Sequence, residues 1–229
     1  MGTMNNKIST RAYVFDYGGT LDTGGCHWGR LLWHAWQEAG VPVSETVFRD
    51  AYVYAERWLA THPVIAPDFT FRQTLSAKLQ IELQQVGHEE YLQTILDNLY
   101  AATCRHTSHS RQVLSVLKRR APLALVSNFY GNIHTVLHEF SLDGLFSHVV
   151  ESAVVGLRKP DPAIFLLAAE RLGYSPAEIT VVGDSIEKDI LPAKEAGFHT
   201  VWLRGEQWVD AVVDERLPHK TIADLNELL

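Results

Sequence analysis

A doubly wound α/β fold with a mostly parallel sheet, interrupted by an inserted helical unit, is the class that these 229 residues predict. Two observations carry it. Short apolar runs rich in β-formers recur along the chain, and three of them stop abruptly at an acid or a hydroxyl: Ala12-Tyr13-Val14-Phe15 before Asp16, Leu123-Ala124-Leu125-Val126 before Ser127, and Ile179-Thr180-Val181-Val182 before Gly183-Asp184. Between the first and the second, from about Gly24 to His106, no such run occurs, and apolar residues recur at helical spacing instead.

Taken in order, Tyr13 to Asp16 is the first strand, delivering a carboxylate to its C-terminal edge, where open parallel sheets bind ligands. Four helices follow, marked by Trp28, Leu32 and Trp36, then Phe48, Tyr52, Ala55 and Leu59, then Leu75 and Leu79, then Tyr91, Ile95 and Leu99. The further strands are Leu123 to Ser127, His148 to Ser152, Ile179 to Gly183 and Thr200 to Leu203, with a helix over Ala163 to Leu172. Ser175-Pro176 with Glu178 is a helix-start signature so close to the fourth strand that at most one turn fits. The division that results is an α/β core of residues 1–23 and 107–229 and a helical unit of residues 24–106.

Composition narrows the partners. A net charge of −7, with no lysine-arginine stripe, argues against a nucleic-acid surface. The longest basic run, Lys118-Arg119-Arg120, ends a helical segment and complements its dipole. No run approaches transmembrane length, and Met1 to Thr10 is polar and unlike a secretory signal. The two cysteines, Cys26 and Cys104, have no metal-ligand spacing and read as free thiols of a reducing compartment. The expectation is a cytoplasmic protein that binds a small molecule, no nucleic acid and no membrane. Oligomeric state leaves no mark in the sequence.

Four stations lie at or near strand ends: Asp16-Tyr17-Gly18-Gly19-Thr20; Ser127-Asn128; Lys159 within Gly156-Leu157-Arg158-Lys159-Pro160-Asp161-Pro162; and Gly183-Asp184-Ser185 with Asp189. Each alone has an ordinary reading as a turn, a helix cap or a solvated charge. Together, as acid, hydroxyl, lysine and acid in that order, they resemble the haloacid dehalogenase superfamily from about Arg11 to Leu203, and the helical insert resembles its C1-type cap. The resemblance implies a hydrolase, most often a magnesium-dependent phosphatase of small phosphorylated metabolites.

Asp16 would then be the nucleophile that carries an aspartyl-phosphate. Ser127 and Lys159 would serve catalysis, and Gly19, Ser127, Asn128 and Lys159 would bind the phosphoryl oxygens. Asp16, the Gly18 carbonyl and Asp184 would hold Mg2+, with Asp189 behind them fixing waters or Lys159. Charge bookkeeping agrees, because an anionic nucleophile meeting an anionic phosphoryl group needs compensating cations, and carboxylate oxygens suit magnesium. The cap would close over the strand ends and exclude water.

Gly18 departs from the pattern. Phosphatases of this superfamily carry an aspartate there, which protonates the leaving oxygen and later activates water. General acid-base help is worth about 10² to 10⁴ in rate, so glycine narrows the substrates to those with good leaving groups or those met by an acid from elsewhere. His27, just past Thr23-Gly24-Gly25-Cys26, is the candidate surrogate acid, since imidazole titrates near neutrality. Superfamily members without the acid include dehalogenases, which use no metal, and phosphonoacetaldehyde hydrolases, which need a cap lysine to form a Schiff base. The lysine available in the cap, Lys78, reads as a solvated helix-face residue. A non-catalytic binder of a phosphorylated ligand is the remaining alternative. Of the cap residues Trp28, Trp33, Trp36, Tyr52, Tyr54 and Trp58, one or two would reach the pocket and the rest would pack between helices; His34, Arg30 and Arg57 are donors a phosphate pocket could use, but a surface role is the better reading of each.

Overall fold

Strand side chains alternate between two apolar layers, and that alternation assembles the molecule. The computed structural model describes residues 10–209, 214 and 216–229; the reading of residues 1–9 as an N-terminal segment without a signal lies outside them. Ala12 and Val14 of β1 (Ala12–Phe15), with Ala124 and Val126 of β2 (Leu123–Ser127), pack under a layer containing Ile164, Phe165 and Ala168. Phe15, Leu123 and Leu125 face the opposite layer, which is continuous with Leu32, Trp36, Phe48 and Leu79 of the insert. Strands buried on both faces must be apolar at every position, which is why these were legible as unbroken runs.

Six strands form one wholly parallel sheet in the order β3-β2-β1-β4-β5-β6. The others are β3 (His148–Glu151), β4 (Ile179–Gly183), β5 (His199–Leu203) and β6 (Lys220–Ile222). The chain therefore starts in the middle of the sheet and winds outward in both directions from β1, which sets Asp16 at a switch in strand order. Two strand ends shift by one residue, leaving Asp16 and Ser152 just beyond β1 and β3. The edge strand β6, absent from the sequence reading, has three residues and too short a pattern to show a period.

Between β1 and β2 come α1 (Trp28–Ala39), α2 (Glu45–Thr61), α3 (Phe71–Val86) and α4 (Leu92–Leu117). Their expected faces are the buried ones: Leu32, Trp36, Phe48, Ala55, Leu79 and Ile95 have no exposed surface. Helix α4 runs unbroken through residues 106 and 107, so the insert and the core share one rigid element there. The remaining α-helices among the described residues are α5 (Ile133–Glu139), α6 (Ser152–Val155), α7 (Ala163–Leu172) and α8 (Leu191–Glu195), the last preceded by a π-helical turn over Ile186–Ile190 that carries Asp189. Pro176–Glu178 forms a single 3₁₀ turn closed by a Ser175/Glu178 capping box, which leaves room for no more before β4. No helix among the described residues is long and apolar enough to cross a membrane.

Candidate active site

The four stations meet at the C-terminal edge of the sheet because β1, β2 and β4 are adjacent and parallel. Asp16 follows β1 directly, and its amide donates to the Val182 carbonyl of β4 at 3.0 Å, which locks it beside Asp184. Lys159 Nζ donates to Asp16 Oδ1 at 2.5 Å and to Asp189 Oδ1 at 2.7 Å. Its loop is clamped by Asn128: the Asn128 amide donates to the Lys159 carbonyl and its oxygen accepts from the Lys159 amide, both at 3.0 Å. Asn128 thus aims the lysine through its side chain, a role beyond the backbone contact expected of it. Asp189 Oδ2 accepts from the Ser185 amide at 3.1 Å, which fixes the carboxylate that faces the lysine.

Thr20 joins the two metal-ligand candidates. Its Oγ1 accepts from the Asp184 amide at 3.0 Å and lies 3.1 Å from Asp16 Oδ2 and 3.0 Å from Asp184 Oδ1, so its one proton serves both carboxylates. Glycine is required at two neighbours. A Cβ on Gly19, whose φ is +97°, would stand 2.4 Å from Asp184 Oδ2, and one on Gly183 would stand 2.5 Å from the Asp189 Cβ.

Oxygens of Asp16, Asp184 and Asp189 lie within 4.8 Å of one another, and all three residues are buried. Burial, followed by the charges of Asp16 and Asp189, raises the Asp184 carboxyl well above its usual range. Burial alone would lower the Lys159 ammonium, but Asp16 and Asp189 outweigh it and hold it above the ordinary lysine value. Three acids against one lysine leave a dry site short of positive charge, and a hard, oxygen-seeking divalent cation fits that deficit. Ser127, the last residue of β2, lines the same cavity of about 170 Å³ as Asp16, Gly18, Asn128 and Lys159.

The surroundings of Gly18 correct two expectations. His27 does line the cavity, but it serves as the N-cap of α1: its Nδ1 accepts from the Gly29 amide at 3.0 Å. Burial, reinforced by the charges of Lys188 and Lys78, lowers its imidazole to about 4, so at neutral pH it is an uncharged ring and a poor acid. Asp22, missed in the sequence because an aspartate in a glycine-rich turn is unremarkable, holds the opposite property. It is 1% exposed, accepts from the Gly19 amide at 2.7 Å and from Trp28 Nε1 at 2.9 Å, and lines the cavity. Burial raises its carboxyl to about 8 against the pull of those two donors. The Trp28 indole lies 3.9 Å from where a Gly18 Cβ would be, so the Trp28–Asp22 pair flanks the vacated position.

Lys78 is the second correction. It is 8% exposed, buried against the cavity by an ion pair from α3 to Glu56 of α2, and its Nζ lies 4.3 Å from the centre of the Tyr52 ring. Burial alone would lower it, but Glu56 and its neighbours hold the ammonium well above its ordinary value. Of the six aromatics singled out in the insert, Trp28 and Tyr52 line the cavity, joined by Phe71; Trp33 and Trp36 pack on Phe48, Tyr54 is exposed and Trp58 stacks on His62. Arg30 and His34 reach instead to the loop after β5, at Gln207 and Glu206, and Arg57 is exposed. Cys26 and Cys104 are free thiols, and burial pushes Cys26 up to about 11.

A sequence model for haloacid dehalogenase-like hydrolases matches residues 10–197. Among curated proteins, the chain is 35% identical over 105 residues to the mouse "Haloacid dehalogenase-like hydrolase domain-containing protein 3", covering 46% of this chain and 42% of that one. It is 42% identical over 86 residues to the glyceraldehyde 3-phosphate phosphatase of Methanopyrus kandleri, 37% of each chain. The chain thus matches about two fifths of the length of these relatives. A longer match, 25% identical over 84% of this chain and 96% of the other, is to the pyrimidine 5'-nucleotidase YjjG of Escherichia coli. Among solved structures, a dehalogenase with an intermediate complex superposes with a TM-score of 0.63 at 23% identity over 96% of both chains. A putative hydrolase from Bacillus subtilis bound to magnesium gives 0.58 at 20% identity, again over 96% of both.

Proposed function

Because the chain belongs to the haloacid dehalogenase-like hydrolases, we propose that it is a magnesium-dependent phosphatase that releases phosphate from a small phosphorylated metabolite through an aspartyl-phosphate on Asp16. The observation that carries this reading is the buried arrangement of Asp16, Asp184, Asp189 and Lys159 at the strand ends. Relatives whose names state phosphatase activity lend it support.

Asp16 attacks phosphorus through a carboxylate oxygen, and the bond to the leaving oxygen breaks as the P–O bond to Asp16 forms; water then attacks the aspartyl-phosphate, and cleavage of the bond to Asp16 releases phosphate and restores the carboxylate. Lys159 meets the charge on the transferring group while its bond to Asp189 keeps it aimed at Asp16. Ser127 and the Asn128 amide are the donors assigned to phosphoryl oxygens; the Gly19 amide, expected to join them, donates to Asp22 instead. Asp16, the Gly18 carbonyl and Asp184 would hold magnesium, which supplies compensating positive charge when bound. Residues 24–106 act as the cap, closing the cavity against water.

The proton for the leaving oxygen is assigned to Asp22, which keeps it at neutral pH and lines the cavity beside Gly18. A Schiff-base route has no support, since it needs a neutral amine and Lys78 is held as a paired ammonium. Phosphate release from phosphoesters, acyl phosphates and phosphonates, with magnesium and with chelator, tests the whole reading. Turnover is expected with magnesium alone and absent in Asp16→Asn. Background rates across the panel from a folded protein that still binds phosphate tightly would instead establish a non-catalytic binder.

A further inference from the structure

The cavity has a ceiling as well as a floor. Opposite the acids of the sheet edge, it is lined by Tyr52 and Glu56 of α2, Lys78 of α3 and Tyr130 beyond β2. Lys78 Nζ donates to Glu56 Oε1, and the Tyr130 hydroxyl lies 3.3 Å from the same oxygen as its second donor. With both bonds on Oε1, no described residue donates to Oε2, so a free acceptor remains on a cavity-lining side chain next to an ammonium with protons to spare. Glu82 stands on the far side, 4.0 Å from Lys78 and fully buried.

The charges of this ceiling cancel. Lys78 keeps its proton, and Glu56 stays ionised, since the nearby ammonium outweighs the opposing effect of burial. Glu82 holds a proton up to about 8, His27 is neutral, and burial keeps the Tyr52 and Tyr130 hydroxyls protonated. Arg158 and Lys188 also line the cavity; both are exposed and partly screened, although the Lys188 charge still reaches His27 and Glu56.

We propose that the Glu56–Lys78 pair reads the hydroxyl groups of a small phosphorylated polyol or hydroxyaldehyde and rejects phosphorylated metabolites whose second group is a carboxylate or an ammonium. The inference rests on the phosphatase reading and specifies its substrate class. A hydroxyl satisfies both members at once, accepting from Lys78 and donating to Glu56. A carboxylate can pair with Lys78 only beside Glu56, and an ammonium with Glu56 only beside Lys78, so each leaves a like charge next to it that a hydroxyl does not.

The test compares glycerol 3-phosphate, phosphoglycolate and phosphoethanolamine, three substrates of similar size, by kcat/KM with magnesium. Wild type is expected to favour glycerol 3-phosphate over each of the others by about tenfold or more. Glu56→Gln, which leaves the lysine charge uncompensated, is expected to shift the preference about tenfold towards phosphoglycolate, through KM. Lys78→Met, which leaves the carboxylate uncompensated, is expected to shift it towards phosphoethanolamine. Opposite shifts are not a consequence of impaired folding, and Tyr130→Phe, a milder change, is expected to weaken glycerol 3-phosphate selectively. Equal turnover of the three by wild type, or proportional loss of all three in both charge variants, overturns the inference and leaves the phosphatase reading standing. Absence of turnover by wild type on any of them, with esters and acyl phosphates also inert, overturns the phosphatase reading and this inference with it.

Discussion

At position 18 an acid is missing, and its neighbours decide what that costs. A Cβ there would meet nothing closer than the Trp28 indole at 3.9 Å, and Gly18 is not among the glycines with positive φ, so a side chain is sterically admissible. Glycine was therefore not imposed by crowding at that atom, and the proposal that Asp22 supplies the proton can be tested on its own. Asp22→Asn keeps the shape and, through its single carbonyl oxygen, one of the two N–H contacts, while removing the acidic proton. It is expected to lower kcat about 10² to 10⁴-fold on alkyl phosphates and far less on an acyl phosphate, whose leaving group needs no proton. Gly18→Asp placed on Asp22→Asn is expected to recover part of the alkyl phosphate rate. Equal losses on both substrate types, or no loss at all, would remove Asp22 from the reaction.

Between elements, the contact that matters most is one that no periodicity announces. Trp208, from the loop after β5, packs at a tilt against His27 and Tyr52, with 5.3 and 5.0 Å between ring centres, and carries the Arg49 guanidinium 4.1 Å above it. It ties α1 and α2 to the core, and Gly29 of α1 makes room for it: a Cβ there would lie 2.1 Å from the indole. Trp208→Ala is expected to cost about 2 to 4 kcal/mol in urea unfolding, and Gly29→Ala a comparable amount by displacing the ring, although alanine normally favours a helix. A gain in stability from Gly29→Ala would show that this docking is loose. The same contrast governs what the sequence disclosed. Strands β1, β2 and β4 were legible because double burial makes every position apolar, and the helical faces because burial recurs every third or fourth residue. Asp22 and Lys78 were not, since their meaning depends on partners the spacing does not reveal: Trp28 for an acid four residues beyond the usual position in one case, and Glu56 on another helix in the other. His27 misled for the same reason, its position near Asp16 being visible and its desolvation not.

For the molecule as a whole, buried protons make stability depend on pH in a definite direction. Asp22 and Glu82 are each pushed by burial to about 8, from ordinary values of 3.8 and 4.5. Their stabilising contribution is complete below those ordinary values and is lost as pH rises through about 8, because the folded protein retains two protons that the unfolded chain has released. His27 acts in reverse, with its folded value near 4 below the usual 6.5, and its influence ends at about pH 6.5. In the window from pH 6.5 to 8 these two carboxyls act together with Asp184, whose carboxyl burial also raises, and the double variant Asp22→Asn/Glu82→Gln separates their share. Across that window the metal-free protein is expected to lose stability with rising pH, by up to about 1.4 kcal/mol per pH unit for each group. Urea midpoints measured at pH 6.5, 7.2 and 8 in chelator check this, with Asp22→Asn/Glu82→Gln expected to give a flatter profile than wild type. A wild-type profile that is flat or rises across the window would mean that both carboxyls are ionised in the folded protein, and Asp22 would then have no proton to give a leaving group at neutral pH.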